Sequence, residues 1–437
     1  MEARQDSFRI RLARIRGGPA WPHRVLAVLA LAGWPAAAPA QAGVPLTLAE
    51  AERLALARSP QIAAQRSMAE AAREMAGPAG SLPDPKLIAG VENVPTEGPD
   101  RWRLNRDSMT MTRIGLMQEF PQGEKLRLRA ERAMQEAARN DVAAAAAALA
   151  VRREVALAWL ARHHALRQSR AIAAQIDEAR LQQATTAALY GAGRASQSDL
   201  LTAQATGIEL ANRATEAALA SERARLALAR LVGAGEADRP LASPPDVLAL
   251  PDAVARLVDV ERQPDLRLAH AQETVLSVDA DVARAGRLPD WSAELTYGIR
   301  GPDFGNMVSL MVRVDLPWTP GTRQDREYAS KLKERDAARA QREDLARSRE
   351  AEVRQMLAEW EAMRVQAVRV RDELVPLAAR RVEAALAAYR GGSGTLAAVL
   401  EARRAELDAR LAQIGFEQSA ARAWAWLATL VPGEVMR

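Results

Sequence analysis

The chain has no cysteine among its 437 residues. That excludes disulfides, thiolate metal sites, a catalytic thiol and a lipid anchor on an N-terminal cysteine, so the chain is not a lipoprotein. Long apolar runs are missing as well. No stretch approaches the 18 or so consecutive apolar residues of a transmembrane helix, which leaves an exported chain either soluble or inserted in a membrane as β-strands. Catalytic signals are absent: no nucleophile–base pairing, phosphate loop or metal-ligand spacing occurs, so the chain reads as a non-enzyme with no cofactor and no metal site. Charge of one sign is lacking too. The formal net charge is +5, but residues 1–40 hold six Arg against Glu2 and Asp6, which is +4 of it. The remainder is near neutral and has no nucleic-acid footprint.

What is present begins with an export signal. Arg9, Arg11, Arg14, Arg16 and Arg24 precede the apolar run Val25–Ala32, and Ala38-Pro39-Ala40 has the small-x-small pattern of a cleavage site. Cleavage is expected after Ala40, giving a signal peptide at 1–40 and a mature chain of 397 residues.

The mature chain repeats one plan. Leu82-Pro83-Asp84 returns as Leu288-Pro289-Asp290 at an offset of 206, and Tyr190-Gly191-Ala192-Gly193 returns as Tyr389-Arg390-Gly391-Gly392 at 199. A period this long is two fused half-proteins rather than a solenoid unit; the halves are placed at 41–237 and 238–437. The first half opens with a capping-box spacing at Thr47-Leu48-Ala49-Glu50, and its helical pattern is expected to end near Met75, with Gly77-Pro78 as the stop. The second half opens near Asp252 and runs to about Arg284. Pro60 and Pro264 occupy matching places, each ending one short helix and starting the next.

Strands follow in each half. Val308, Leu310, Val312, Val314 and Leu316 alternate with Ser309, Arg313 and Asp315; Trp291, Ala293, Leu295, Tyr297 and Ile299 alternate with Ser292, Glu294, Thr296 and Arg300. Period-two alternation predicts strands at 291–300 and 307–316, with less regular partners at 86–94 and 109–120. Their length of about ten residues suits a tilted membrane-crossing strand. After each hairpin comes a long helical run. Glu124 to Leu189 is free of proline and would reach about 100 Å at 1.5 Å per residue. Gln324 to Tyr389 contains Pro376, where a joint is expected. Each run ends at a Tyr-x-x-Gly turn, and a second helix returns at 198–231 and 395–430.

Helices of this length need partners, and four strands form an open sheet with two vulnerable edges. Three copies would supply twelve strands, enough for an aqueous lumen. Phe120, Trp291 and Trp318 fall at the strand ends nearest the helices, where a membrane-interface aromatic belt belongs; isolated core packing is the alternative for each. Adjacent His163 and His164 point about 100° apart on a helix and do not converge on a metal. Met109, Met111, Met117, Met307 and Met311 are read as packing rather than as soft-metal ligands.

This order of elements, duplicated, resembles the TolC family of outer-membrane efflux proteins. The residues that carry the resemblance are Leu82-Pro83-Asp84-Pro85, Gln118-Glu119-Phe120-Pro121 and the turn from Gly193 through Ser196, Asp199, Leu200 and Leu201 to Ala203. The family implies a mainly α fold with a small transmembrane β part: a homotrimer with a 12-stranded β-barrel in outer-membrane lipid and a periplasmic α-helical tunnel. It further implies docking to a periplasmic adaptor (membrane fusion) protein and an inner-membrane RND-type pump, with passive conduction of metal ions or small toxic compounds. The helix-to-helix turns would form the adaptor-contact tip, with Tyr190, Gly193, Ser196, Leu200 and Leu201 from one and Tyr389, Gly392, Thr395, Val399 and Leu400 from the other. Glu401 matches an acidic pore-constriction segment; the family's second acidic position is Ala398 here, so Asp199 is the substitute candidate. The Val91-Glu92-Asn93-Val94-Pro95 segment resembles the family's heavy-metal branch. A soluble periplasmic coiled-coil scaffold and a metal-binding protein are the alternatives, and the strand alternation counts against both.

Overall fold

The computed structural model describes residues 44–250 and 263–430. The signal peptide and the opening of the second half near Asp252 lie outside the described residues.

Helix α1, Leu48–Arg58, starts where Thr47 Oγ1 accepts the Glu50 amide at 3.1 Å. Only half of the expected capping box forms, because the Glu50 carboxylate turns to Arg239, which donates from both Nη atoms at 3.0 Å. A bidentate, charge-assisted pair outcompetes one backbone amide. Ser59 then caps α2, Pro60–Gly80, with Pro60 in the first turn, where its missing N–H costs nothing. The stop expected at Gly77-Pro78 does not occur there; Pro78 lies inside the last turn and α2 continues to Gly80. Close packing against the next long helix holds this end in place, with Ala130 immediately beside Gly80.

The four strands fall at the expected places, with β1 and β2 trimmed at the loop end and β4 at the helix end: β1 Lys86–Glu92, β2 Met111–Phe120, β3 Trp291–Arg300 and β4 Met307–Val314. Strand β1 stops two residues early because Asn93 takes a positive φ of 54°. Thr110 Oγ1 donates to the Asn93 carbonyl at 2.7 Å, replacing a ladder bond. The sheet order is β1-β2-β3-β4, antiparallel throughout, and β2–β3 is the seam between the halves, running from Met111↔Arg300 to Phe120↔Trp291.

Helix α3, Gly123–Gly191, is unbroken over 69 residues and returns as α4, Gln197–Val232, followed by the single turn α5, Ala234–Asp238. The second half supplies α6, Pro264–Ala285, and then α7, Gln324–Arg369, a π-helical turn Val370–Leu374, α8, Val375–Arg390, and α9, Leu396–Thr429. The π turn is the joint expected at Pro376. Proline cannot donate to the carbonyl four residues back and its ring crowds that group, and a local widening of the helix relieves both.

The largest core lies midway along the bundle, where two extended segments wrap the helices. Leu46 pairs with Leu241 in a parallel bridge. Three indoles anchor the segments: Trp159 Nε1 donates to the Leu46 carbonyl at 3.1 Å, Trp360 to Val247 at 2.9 Å and Trp424 to Ala249 at 3.1 Å. Leu228, Val155, Ala421 and Leu427 fill the space around them. No described helix is long and apolar enough to cross a membrane.

Glu52 sits beside this core, buried, with one carboxylate oxygen lacking any hydrogen-bond partner among the described residues. Burial raises its carboxyl to about 7, partly opposed by the charge of Arg152. The folded protein therefore holds a proton that the unfolded chain releases near 4.5, and this group's favourable contribution is lost as pH rises through 4.5 to 7. Glu52→Gln is expected to remove that slope. Chemical denaturation at pH 8 should find the variant the more stable by on the order of 2 kcal/mol, with the difference vanishing by pH 4.

Candidate channel surfaces

The sheet is inside out. On β3, Leu295, Tyr297 and Ile299 are exposed while Glu294 and Thr296 are only 4% and 2% exposed. On β2, Ile114 and Leu116 face out and Arg113 faces in; on β4, Leu310 is 72% exposed. Water-soluble sheets bury the apolar set, so this arrangement is the one expected of strands whose outer solvent is lipid. The aromatic pair at the helix end obeys the same rule. Phe120 and Trp291 are register partners on the outer face, with rings stacked at 4.1 Å, and Trp318 is fully out in solvent just beyond.

The polar face carries charge on every strand. Arg113 (β2) contacts Glu92 (β1), donates to Glu294 at 3.2 Å and to Thr296 at 2.8 Å (β3), and Arg313 (β4) holds Glu294 at 2.6 Å. Gly115 makes room for this: a Cβ there would sit 2.3 Å from Thr296 Cγ2. Met111, Met117, Met307 and Met311 lie on the same face by register. Met117 Sδ accepts from Arg313 Nη1 at 3.4 Å, and Met111 occupies the space a side chain on Gly298 would need. The alternation in the sequence had placed Glu294, Thr296 and Arg313 in the polar sets of their strands, but nothing in it joined them to Arg113 and Glu92 as a network.

At the far end of the helices the two turns are copies. Gly193 and Gly392 both take positive φ, 69° and 76°, and the next amide reaches back to the Leu189 carbonyl at 2.8 Å in one turn and Ala388 at 3.0 Å in the other. This is the glycine-dependent helix ending in which carbonyls left over by the last turn are satisfied. Ser196 and Thr395 then cap α4 and α9. Tyr190 and Leu201 are exposed, Leu200 and Tyr389 are partly covered, and Val399 and Leu400 are buried within the protomer.

The two acidic candidates are already engaged. Asp199 completes a capping box: its amide donates to Ser196 Oγ at 3.1 Å, and its carboxylate accepts from the Ser196 amide and hydroxyl at 3.1 and 2.7 Å. Glu401 is exposed and accepts from Arg381 at 2.8 Å. Just above, α9 is tied to the first-half pair by Arg403 against Glu178, Arg404 with Glu209 at 3.4 Å, and Arg213 with Asp408 at 2.7 Å, around a cavity of about 260 Å³. His163 and His164 are interhelix residues: His163 stacks on Trp159, and His164 is buried with Nδ1 2.7 Å from the Leu160 carbonyl. Burial pushes His163 down to about 4, with His164 and Arg167 adding to it.

A sheet with a lipid-type outer face continues into α3, which at 69 residues is about 100 Å long, and this defines a class of fold: a membrane-type sheet with a long helical extension. Residues 260–433 match the family model described as outer membrane efflux protein, so the second half of the chain carries that domain. No curated protein matches the chain. Among solved structures, a membrane protein from Pseudomonas aeruginosa is 20% identical, with a TM-score of 0.75 over 88% of this chain and 89% of its own. The outer membrane protein VceC from Vibrio cholerae is 20% identical, at 0.70 over 88% and 95%. CusC, solved in a study of transmembrane channel formation, is 14% identical, at 0.73 over 89% and 93%. The fold is thus that of the TolC-family channels along nearly the whole chain.

Asp199 offers a local test. Asp199→Ala removes both carboxylate bonds of the capping box and should loosen the first turn of α4 by about 1 kcal/mol. Faster hydrogen exchange of the amides at Ser196–Leu200, with α9 unaffected, is the expected result.

Proposed function

We propose that this chain is the outer-membrane duct of a tripartite efflux system. Three copies close their sheets into a twelve-stranded barrel and their helices into a periplasmic tunnel. Cargo enters from an RND-type pump through an adaptor and leaves by diffusion. The observation that carries this reading is the inverted alternation of β2, β3 and β4, which neither a soluble scaffold nor a periplasmic metal binder would need. The family is one of channel proteins, and the role is passive conduction rather than catalysis. Metal ions or small toxic compounds are the cargo classes, with the pump making the choice.

Cell fractionation tests the reading directly. Expressed with its own leader, the chain should be found in the outer membrane, with a detergent-solubilised mass near three chains by light scattering. A soluble periplasmic monomer or dimer would sink the barrel.

The tip residues are proposed to meet the adaptor through the exposed members, Tyr190, Gly193, Leu201 and Gly392, with Ser196 and Thr395 holding the turns. Val399 and Leu400 support the tip from within. Opening moves α8 and α9 away from α3 and α4, which requires the Arg403, Arg404 and Arg213 pairs to part; adaptor binding biases that two-state change. Glu401 is the proposed constriction residue, a ring of carboxylates on the axis that attracts cations. Its pairing with Arg381 weakens the ring, and Asp199 adds to it only from within its cap. In planar bilayers, Glu401→Ala should lower cation selectivity and relieve block by divalent ions. Unchanged selectivity and block would remove Glu401 from that role.

A further inference from the structure

We propose that the charges on the polar face of the sheet form a belt that only a second copy completes, with Arg313 of one copy seated against Glu92 of the next. The proposal rests on the barrel reading above and specifies how the barrel closes.

One charge from each strand forms a contact chain of alternating sign, Glu92, Arg113, Glu294, Arg313; of the other charges on this face, Lys86 and Glu119 pair with each other and Arg300 reaches loop carbonyls. The two inner members each touch an opposite charge on both sides. Their side chains are 15% and 5% exposed. The two outer members each touch one, and remain 46% and 50% exposed. They stand on the two edge strands, β1 and β4, whose outer backbone groups have no strand partner among the described residues. The incomplete ends of the belt therefore coincide with the incomplete edges of the sheet, and they have opposite signs.

That sign difference selects the mode of pairing. Two β4 edges would offer Arg313 only its own kind, and on two β1 edges the one cation, Lys86, is already engaged by Glu119, so Glu92 would find only another Glu92 unpaired. Pairing β4 with β1 of the next copy keeps strand directions antiparallel, because four alternating strands leave β4 running opposite to β1. It continues the Glu–Arg alternation through the stagger that barrel closure requires, since Arg313 lies eight register positions nearer the helices than Glu92. This contact is head-to-tail, so it builds a ring rather than a two-fold dimer. The finished belt has equal numbers of Arg and Glu and is electrically neutral. The belt fixes the register between copies.

Because the chain has no cysteine of its own, a double variant Glu92→Cys/Arg313→Cys introduces the only thiols. Within one copy these positions lie on opposite edges and at opposite ends of the strands, Glu92 level with Met111 and Arg313 level with Glu119 through Ser292, about 30 Å apart, beyond disulfide reach. Mild oxidation of the outer-membrane protein should give a non-reducing gel ladder ending at three chains, and each single variant should stay at one. Single-chain bands only, from a sample whose light-scattering mass is three chains, would overturn the belt and leave the trimer standing. A wild-type mass of one chain would overturn the belt together with the barrel. A second variant keeps the charge: with Arg313→Lys, a zero-length carbodiimide should join the introduced lysine to Glu92 in a peptide identified by mass spectrometry. A trimer that joins it only to Glu294 would also overturn the proposal.

Discussion

The constraint on which the rest of this molecule depends is that its sheet wears apolar residues outside and charges inside. A four-stranded sheet so built is satisfied neither in water nor alone, because Leu295 and Leu310 need a non-aqueous neighbour while Arg113 and Glu294 need polar company. Both needs are met when the sheet curves with its polar face inward and lipid outside. The helices have to leave from one end only, and the joint there is built accordingly. Lys125, buried at the start of α3, donates to the Leu288 carbonyl at 2.7 Å and pairs with Asp290 at 2.8 Å, and Asp290 also accepts the Gln122 amide. One ion pair thus locks the long helix of the first half to the strand entry of the second, at the seam where β2 meets β3. Asp290 is held below its usual range by Lys125 and the Gln122 amide, against the opposing effect of burial.

Below that joint the helices bury only a narrow stripe, much of it alanine: Ala133, Ala137 and Ala144 on α3, Ala203 and Ala217 on α4. Small residues let long helices run close together but bury little apolar area per turn. The deficit is made up at one level, where the extended segments are drawn in by the indoles of Trp159, Trp360 and Trp424. Each indole couples a large apolar body to one strong donor, so the segment carbonyls are satisfied in a place water does not reach. The molecule is therefore firm at its waist and lightly built towards the tip, where the second cluster consists of Ile172, Ala179, Leu210, Ala217 and Leu407.

Much of this was legible in the sequence, for a physical reason: strands and long helices announce themselves by period, and the turns by glycine. The four strands, the unbroken α3, the cap at Thr47, the helix start at Pro60 and the joint at Pro376 all rest on local chemistry. What escaped were interactions between residues far apart in the chain. Glu50 leaving its own cap for Arg239, 189 residues on, could not be read from a spacing rule. Nor could the persistence of α2 through Pro78, which α3 enforces from outside. The charge belt was hidden for the same cause, since Arg113 and Glu294 stand 181 residues apart and meet only through the sheet register. Asp199 and Glu401 were legible as acids near the tip, but their engagement with Ser196 and Arg381 was not.

The duplication leaves one asymmetry that bears on movement. The turns are equivalent at an offset of 199 down to single hydrogen bonds, yet the hairpins end at an offset of 196 (Pro121 against Pro317). The second half thus fits three additional residues between hairpin and turn. It does so with a long irregular entry before Gln324 and with the π turn at Val370–Leu374, while α3 in the first half passes the same region unbroken. None of the five π-turn residues is buried, so bending there disturbs no core, and the proline just beyond it has no backbone bond to lose. A rigid first-half hairpin thus faces a second-half hairpin that can pivot above its tip. The restraint on that pivot is electrostatic: the Arg403, Arg404 and Arg213 pairs join α9 to α3 and α4 through side chains that are largely exposed on one partner. Exposed pairs are individually weak, so a docking partner that offers competing charges would face only a small barrier, and the stable waist would be left untouched.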